Sequence, residues 1–476
     1  MLNPRTAVLR LRRSYDGAVS KKYLALLPRR RGLLTLAIES SCDDTSVAIV
    51  EKHDRPSNDD TSAATIHFLE KVTADTRQYR GIHPIEALQS HQENLAKLVD
   101  KALRHLPAVP EDGNDSTAHR GLMLADDKTG TRRRIPDFIS ATRGPGMRSN
   151  LAVGLDTGKG LAVAWQIPFV GVHHMQAHLL TPRLVSALAQ KNESGSSPAA
   201  PSRGSSPDFP FLSILVSGGH SLLVKSASIT DHEIMASSAD IAIGETLDKA
   251  ARLILPESLL QTAKNTMYGR MLERFAFPNG PADYADYRPA MNRGEELVKR
   301  ESLWGWSITA PFANTRQLQF SFSCVSSTVT RIVAKKEAAG EVMSDDERVA
   351  LARESMRVCF EHLASRTIIA LEHLRDQGLD PAEIQTLVVS GGVAANRFLM
   401  TVLRSFLDVR GFGHVEIVAP PPYLCTDNAA MIGWAGIEMF EAGWQTDLSC
   451  RALRKWTLDP RAEDGGILGP RDWKRI

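Results

Sequence analysis

The amino-acid sequence predicts an α/β protein of two similar halves, and three short stretches carry this prediction. Apolar residues from Leu33 to Ile38 are typical of a strand, a polar turn follows, and a second apolar strand ends at Val50. The same order of strand, turn and strand returns at 211–224. A third apolar strand, 387–389, leads into Ser390-Gly391-Gly392 and then a helix. We therefore expect duplicated α/β units that face one another.

The turns of these units predict a nucleotide site in the cleft between the halves. Glycine adopts positive φ and lets backbone N–H groups approach a phosphate. Two hairpins followed by a strand, a Gly-Gly turn and a helix are the arrangement with which the actin, hexokinase and Hsp70 class holds a nucleotide. The first turn adds small hydroxyl residues and the acids Asp43 and Asp44, which suit contact with phosphate or Mg²⁺. A plain polar hairpin turn is the competing interpretation there.

Composition and charge narrow the class of protein. The chain has 476 residues, of which 43% are hydrophobic and 24% charged, and no apolar run reaches the length of a membrane span. Five scattered cysteines without a CxxC spacing argue against a cysteine zinc site or a disulfide framework. Residues 1–31 hold nine Lys or Arg and one acid, which predicts a mitochondrial transit peptide, with a basic tail as the alternative.

Local composition divides the remaining chain into four parts. Residues 32–188 form an N-terminal half, and 189–209, rich in Ser, Gly and Pro, form a low-complexity linker. Residues 210–460 form a C-terminal half and 461–476 a tail. Without 1–31 the chain is net acidic, so a nucleic-acid partner would have to be held by local basic patches.

Two histidines one helical turn apart form the candidate metal site. An apolar run leads into a helix predicted to begin near His174, so that His174 and His178 share one face. Two imidazoles can hold one metal ion if a third ligand comes from elsewhere, and Asp427 is the best candidate for that ligand. A His-x-x-x-His pair alone is more often a surface or core pair. A zinc-protease motif is disfavoured because Met175 stands where the general base would follow the first histidine.

Two further stretches bear on nucleotide chemistry. A helix predicted from Ile243 places Asp248 where a carboxylate could contact a ribose or phosphate-bound group, although an ordinary acid in an early helical turn is equally compatible. Residues 154–160 are similar to a phosphate-binding loop in their glycines and Lys159. They lie within a helical pattern, however, and lack the Ser or Thr that follows the lysine of such a loop. We therefore reject that assignment.

Six motifs together resemble one family, TsaD, the tRNA N6-adenosine threonylcarbamoyltransferases, and with the basic leader they look most like its mitochondrial branch. They recur in family order: Glu39–Asp44, Arg143–Met147, His173–His178, Val216–His220, Ser390–Arg397 and Cys425–Ile432. The resemblance implies an actin-like (ASKHA) fold. It also implies transfer of the threonylcarbamoyl group from threonylcarbamoyl-AMP to N6 of the adenosine 3′ of the anticodon in tRNAs that read ANN codons, with release of AMP.

The resemblance also assigns roles to individual residues. It makes His174, His178 and Asp427 the ligands of one Fe or Zn ion per subunit. It places the adenylate and substrate at a set of contacts: Val216, Ser217, Gly218, Gly219, His220, Asp248, Gly269 and Asn396. Because an acyl-adenylate is already activated, no side-chain nucleophile is needed. A base that assists the adenine amine would be His220 or Asp43, and the sequence does not select one.

The chain departs from the family pattern at several places. Gln176 stands where Glu is common, Cys324–Ser326 replaces Gly-Leu-Lys, and Met267–Arg270 replaces a longer Tyr-Pro-Gly-Gly-Pro segment. Three alternatives stay open: a kinase of the same fold, a metalloprotease, and a non-catalytic adenylate-binding partner protein.

The resemblance implies partners as well. It suggests a homodimer and a separate enzyme that supplies threonylcarbamoyl-AMP, with mitochondrial tRNA as the acceptor. Candidate phosphate contacts for the RNA are five arginines: Arg132, Arg133, Arg134, Arg143 and Arg148.

Overall fold

The structure, a computed structural model, describes residues 32–53, 62–79, 81–109, 120–125, 130–189, 205–263, 267–378 and 383–476. The transit peptide predicted at 1–31 lies outside these residues, as does 190–204 of the linker predicted at 189–209.

The first half is built on a five-stranded sheet in the order β3-β2-β1-β6-β7. The predicted first hairpin is confirmed: β1 and β2 are antiparallel, with Ala37 opposite Ala48. Strand β3 continues the meander, and β6 and β7 add in parallel on the other side of β1. The strands are β1 (Leu33–Glu39), β2 (Asp44–Lys52), β3 (Ala64–Thr73), β6 (Phe138–Gly144) and β7 (Phe169–His173), with β4 (Gly121–Leu122) and β5 (Arg133–Arg134) as a small separate pair.

The second half repeats this topology in the order β10-β9-β8-β11-β12. Again the first three strands form an antiparallel meander and the last two add in parallel. The α/β class predicted from the sequence is confirmed, and each sheet has the first strand of its half at the centre. The strands are β8 (Phe211–Val216), β9 (Ser221–Ser226), β10 (His232–Ser237), β11 (Thr386–Ser390) and β12 (Glu416–Val418). A last pair, β13 (Trp444–Thr446) and β14 (Trp473–Arg475), lies near the C-terminus.

Helices cover both faces of the sheets. Among the helices that the structure describes, none is long and apolar enough to cross a membrane. They are α1 (Pro84–Leu103), α2 (Arg148–Trp165), α3 (His174–Ala189), α4 (Ile243–Ile254), α5 (Glu257–Leu260), α6 (Tyr268–Ala276), α7 (Arg293–Glu296), α8 (Ser323–Ala338), α9 (Asp345–Asp376), α10 (Arg397–Val409), α11 (Pro422–Cys425) and α12 (Ala429–Glu441). Because residues 154–160 lie inside α2, the rejection of a phosphate loop there is confirmed.

Alternation along the strands sorts their side chains into separate cores. Leu36 and Ile38 of β1 face a core shared with α1 and α2, whereas Ala37 faces a core shared with α3 and α12. Leu215 of β8 joins that same central core, and Ile214 faces the core of the second half. Helices α3 and α12 therefore lie between the two sheets.

Helix α12 returns to the first sheet from near the end of the chain. It packs on β1 and β2 and beside α3. A Cβ at Gly433 would lie 2.9 Å from Val50, and one at Gly436 would overlap Ser140, so these glycines let the helix approach the sheet closely. A division of the chain at residues 210 and 460 would assign this helix to the second half, whereas its packing places it on the first.

A buried histidine of α9 ties this helix to the segment before α8. The ring of His362 is 4% exposed, and its Nε2 accepts the Ser321 N–H at 3.2 Å. Burial lowers the pKa of His362 to about 3, and the neighbouring Arg366 and Arg293 lower it further. The ring is therefore neutral in the folded protein.

We expect His362 to make folding stability depend on pH. A free histidine titrates at about pH 6.5, whereas His362 titrates at about pH 3 in the folded protein. Between these two pH values the unfolded chain binds a proton that the folded chain does not bind. Stability should therefore fall as pH is lowered, by up to about 1.4 kcal/mol per pH unit from this one group. In His362→Gln, chemical denaturation from pH 7 to pH 5 should show a shallower loss. The control His373→Gln, at an exposed position of the same helix, should keep the wild-type slope, and equal slopes in all three proteins would contradict the assignment.

Candidate functional site

The predicted histidine pair lies where β7 ends and α3 begins, and Asp427 meets it there. The two imidazole rings are 4.8 Å apart between centroids and nearly perpendicular. Asp427 Oδ1 lies 3.1 Å from Nε2 of His178 and 3.6 Å from Nε2 of His174. One ligand atom from each residue falls within 4.8 Å of the others. Two imidazoles and one carboxylate in this arrangement could hold a transition-metal ion and leave positions open for substrate.

The loop that carries Asp427 is held from several directions. The side chain of Asn428 caps α12 by accepting the Met431 N–H at 3.1 Å. Lys71 of β3 donates to Thr426 Oγ1 at 3.1 Å and to the carbonyl of Asp427 at 3.3 Å. The Ala429 N–H donates to Ser46 Oγ of β2. The position of the carboxylate is therefore set by the first sheet as well as by its own helix.

The charges of the cluster favour a cation. Burial opposes ionisation of Asp427, but His174 and His178 outweigh it and hold the pKa of this carboxyl below its usual range. Burial likewise opposes protonation of His174, yet Asp427 and Glu39 outweigh it and raise the pKa of His174 to about 9. The donor set thus attracts positive charge, which a metal ion would supply in place of the proton, and the residues fit such an ion.

Glu39 belongs to the site, although the Glu39–Asp44 motif that it begins assigns it no role. It ends β1, is fully buried, and places Oε2 3.4 Å from His174 Nδ1. Its other oxygen accepts the Ser41 N–H at 2.6 Å, and Thr142 Oγ1 donates to Oε2. A carboxylate behind an imidazole fixes which ring nitrogen is free to bind a metal. Here Nδ1 faces Glu39, so Nε2 is the atom left for the ion.

The turn of the first hairpin is held by α1 and α2. His91 Nε2 lies 3.0 Å from the carbonyl oxygen of Cys42, and Asn150 Nδ2 donates to the same oxygen at 2.8 Å. The Met147 N–H donates to the carbonyl of Ser41 at 2.9 Å. Within this turn, burial raises the pKa of Asp43, and Asp44 and Asp427 raise it further. Burial also raises the pKa of the Cys42 thiol, so this cysteine is not an activated nucleophile.

The turn of the second hairpin, Val216–His220, exposes the backbone of two glycines to solvent. A Cβ at Gly244 would lie 2.6 Å from the carbonyl of Ser217, so this glycine is required by packing against the turn. Gly391 has φ +92° and also packs against Val216. A Cβ at Gly218 or Gly219, by contrast, would meet no atom within 4 Å. Internal packing therefore does not explain these two glycines, and the space beside them is free for a ligand.

His220 brings this turn to the metal cluster. Burial lowers the pKa of His220 to about 4, and the proximity of His174 and His178 lowers it further. The ring is neutral at pH 7 and can accept a proton. The charges of His174 and His178 therefore act on a residue of the glycine turn of the second half.

The remaining predicted contacts fall into two groups. Asp248 and Gly269 come together, because Asp248 Oδ1 accepts the Gly269 N–H at 2.6 Å. Burial raises the pKa of Asp248 to about 6. Asn396 is 7% exposed and caps α10 by accepting the Leu399 N–H, so its side-chain oxygen is already engaged.

Two of the arginines predicted to contact RNA are instead buried. Arg134 pairs with Glu51 and Asp137, each at 2.7 Å. Arg143 pairs with Asp472 at 2.6 Å and lies over the ring of Trp456. Because both guanidinium groups are buried and paired with carboxylates, the prediction is wrong for these two residues. No sequence pattern shows that these carboxylates will pair with them. Arg132 and Arg148 are exposed, and Arg133 donates to the carbonyl of Leu106.

The departure at Gln176 lies away from the metal ligands. This side chain is buried and donates to the carbonyl of Ile229 at 2.7 Å. It is therefore a core contact of α3, and no general base of a zinc protease stands at this position.

Together these features define a mixed α/β protein with a cluster of two histidines and one carboxylate and with an open glycine turn in its second half. A sequence model of the TsaD family, described as tRNA N6-adenosine threonylcarbamoyltransferase, matches residues 127–434. The chain belongs to this family.

Full-length relatives agree with this assignment. The mitochondrial tRNA N6-adenosine threonylcarbamoyltransferase of Schizosaccharomyces pombe is 34% identical over 93% of this chain and 89% of its own length. The tRNA N6-adenosine threonylcarbamoyltransferase of Brucella ovis is 32% identical over 90% of this chain and 96% of its own. That of Rhizobium etli is 31% identical over 90% and 95%.

We expect the purified protein to carry about one transition-metal ion per chain. His174→Ala, His178→Ala and Asp427→Ala should each lose most of it, since two remaining ligands hold an ion poorly. Elemental analysis by mass spectrometry measures this directly. The control is His53→Ala, which should retain the metal. The His53 ring is hydrogen-bonded to Thr65 of the first sheet and is not one of the proposed ligands. Full metal content in the double variant His174→Ala/His178→Ala would contradict the ligand assignment.

Glu39→Gln should weaken metal retention while keeping the fold. The substitution preserves shape but removes the charge behind His174, and partners of this kind affect metal affinity by about 10- to 100-fold. Competition with a chromogenic chelator gives the rate and extent of metal loss. Glu51→Gln is the matched control, because it neutralises a buried carboxylate of β2 that pairs with Arg134 instead of a ligand. Wild-type retention in Glu39→Gln would show that Glu39 does not orient His174.

Proposed function

We propose that this chain transfers the threonylcarbamoyl group from threonylcarbamoyl-AMP to N6 of the adenosine 3′ of the anticodon in tRNAs that read ANN codons, with release of AMP. Membership of the TsaD family supports this activity, and the relatives described above are named for a transfer of this kind. The observation that carries it for this chain is the cluster of His174, His178 and Asp427, whose ligand atoms lie within 4.8 Å of one another.

The reaction needs orientation more than it needs a nucleophile from the protein. The adenine N6 amine attacks the carbonyl carbon of the mixed anhydride, and a C–N bond forms. The bond from that carbon to the phosphate oxygen breaks, AMP leaves with the electron pair, and the amine loses one proton. A bound metal ion would supply Lewis-acid polarisation of a carbonyl or phosphoryl oxygen. Holding amine and anhydride together can account for much of the rate, because the reaction then becomes effectively intramolecular.

The second half supplies the adenylate contacts in this proposal. The Gly218 N–H would donate to the phosphate, since no side chain blocks approach to the glycines. Ser217 and Gly219 would shape the turn, because the Ser217 N–H donates to the carbonyl of His220 at 2.9 Å and the Gly219 N–H donates to Ser217 Oγ at 3.3 Å. Asp248, with Gly269 on one carboxylate oxygen, would accept a ribose hydroxyl on the other. Val216 and Asn396 would shape the pocket wall, because both side chains are buried and the Asn396 oxygen is engaged in capping α10.

Two residues are suited to accept the N6 proton. His220 is neutral at pH 7 because its pKa lies at about 4, and Asp43 has a raised pKa at the opposite hairpin. General bases contribute about 10²- to 10⁴-fold to a rate. We assign the catalytic role to this pair, and substitution distinguishes its members.

The proposal extends to the fold, the metal and the division of the chain. The repeated strand order supports an actin-like (ASKHA) fold with the nucleotide between its halves. We propose Fe or Zn as the metal, since imidazole and carboxylate suit either. The proposed parts remain a transit peptide at 1–31, halves at 32–188 and 210–460, a linker at 189–209 and a tail at 461–476.

Partners and compartment complete the proposal. The Arg-rich residues 1–31 and the mitochondrial relative support a location in the mitochondrial matrix. The donor is a reactive mixed anhydride, so a second enzyme that makes it would act close by. We further propose that the active form is a homodimer.

The test is transfer to an unmodified ANN-decoding tRNA transcript supplied with threonylcarbamoyl-AMP. Mass spectrometry of the digested nucleosides should detect threonylcarbamoyladenosine, and Asp427→Ala should abolish it because the third ligand is removed. His220→Asn and Asp43→Asn separate the proton acceptors, since substitution of the residue that acts as base should slow transfer by about 10²-fold or more while metal is retained.

The same assay separates the alternatives. Phosphorylation of a small substrate with ATP, without nucleoside modification, would favour a kinase of the same fold. AMP binding by folded, metal-loaded protein without any product would favour a non-catalytic partner protein.

A further inference from the structure

We propose that Arg451, Arg454 and Lys455, together with Arg148, form the surface on which this protein binds the phosphate backbone of its RNA. This inference rests on the proposed function and names where its polynucleotide substrate lies. We refer to these four side chains as the basic rim.

The cations of the basic rim are free to bind an anion. All four side chains belong to exposed residues. Within the described part of the chain, none of them forms an ion pair with a carboxylate. The stretch 448–458 that carries three of them contains no Asp or Glu.

Three acids near the basic rim pair with other cations, and Asp464 accepts hydrogen bonds from Thr457. Asp472 pairs with the buried Arg143, and Lys474 pairs with Asp447. On α2, Asp156 pairs with Lys159 at 2.8 Å. The rim therefore keeps an uncompensated positive charge on a chain whose residues beyond 1–31 are net acidic.

The rim adjoins the metal ligands through the backbone. The Leu453 N–H donates to the carbonyl of Arg143 at 2.9 Å, and the Gly146 N–H donates to the carbonyl of Arg454 at 3.4 Å. The next residue, Met147, donates to the carbonyl of Ser41, whose Oγ lies 3.3 Å from His174 Nδ1. Two layers of backbone thus separate the rim from a metal ligand, so phosphates that flank an adenine at the metal would lie near this edge.

The segment is held rigidly enough to present its charges. Trp456 is 4% exposed, and its indole N–H donates to the carbonyl of Gly466 at 2.9 Å. Arg143 donates from Nε to the carbonyl of Arg451 at 3.2 Å. Ala452 and Trp456 face inward while the cations face solvent. Cations held in this way would contact phosphates and so position a nucleic acid without reading its sequence.

Charge reversal tests this surface. Full-length Arg454→Glu/Lys455→Glu should bind tRNA at least about 10-fold more weakly at physiological salt, and its plot of log affinity against log salt should be flatter by about 0.9 for each phosphate that the protein no longer neutralises. Arg148→Glu tests the same rim from α2, independently of how the 451–455 segment folds. Metal content and AMP binding should equal wild type in both variants, which distinguishes weaker RNA binding from a damaged site.

The matched control is Arg331→Glu/Lys335→Glu, which reverses two exposed cations on α8 and should leave tRNA binding unchanged. If wild type modifies tRNA while the rim variants bind and modify it equally well, the inference is wrong and the proposed function stands. If wild type neither binds nor modifies tRNA, the proposed function fails and the inference fails with it. Equally weakened binding in the rim and control variants would show a general charge effect and would also overturn the inference.

Discussion

The site depends on one long-range contact, the approach of Asp427 to His178 across 249 residues of sequence. This contact exists because α12 returns to the first sheet and packs beside α3. Gly433 and Gly436 make that return close, and Lys71 and Ser46 hold the loop before the helix. Without this packing, His174 and His178 would be a histidine pair on one helix face with no third ligand.

The electrostatics of the site follow from the same packing. Glu39 and Asp427 bring two carboxylates to opposite nitrogens of one buried imidazole, where burial of Glu39 and His174 limits screening by water. The high pKa of His174 reflects that excess of negative charge. Binding of a cation would relieve it, with Glu39 holding the ring so that Nε2 faces the ion. Through Ser41, Met147 and Gly146 this centre continues to the basic rim, so one connected set of contacts links the proposed sites for metal and RNA backbone.

Short sequence patterns predict the secondary structure that neighbouring residues determine. Spacing and turn residues predict the hairpin at Leu33–Val50, the turn at Val216–His220 and the helix start at His174, and the structure confirms them. Asp427 is predicted as the third ligand because a carboxylate completes such a set, and the structure brings it there.

Long-range packing is what the sequence leaves open. The role of Glu39 cannot be predicted, since nothing in a strand-ending Glu reveals which imidazole it will face. Arg134 and Arg143 fail as RNA contacts for the same reason: a basic run in the sequence does not show which buried carboxylates will pair with it.

We infer that His174, His178 and Asp427 together bind one metal ion. X-ray absorption at the metal edge of the purified protein tests this most directly, because it reports the identity and number of ligands around the ion itself. We predict about two imidazole nitrogens with the remaining positions filled by oxygen. We also predict a spectrum that changes when AMP is added, because the proposed nucleotide turn carries His220, whose pKa is lowered by burial and by His174 and His178. A sulfur-ligated ion, or a shell without imidazole, would contradict the claim.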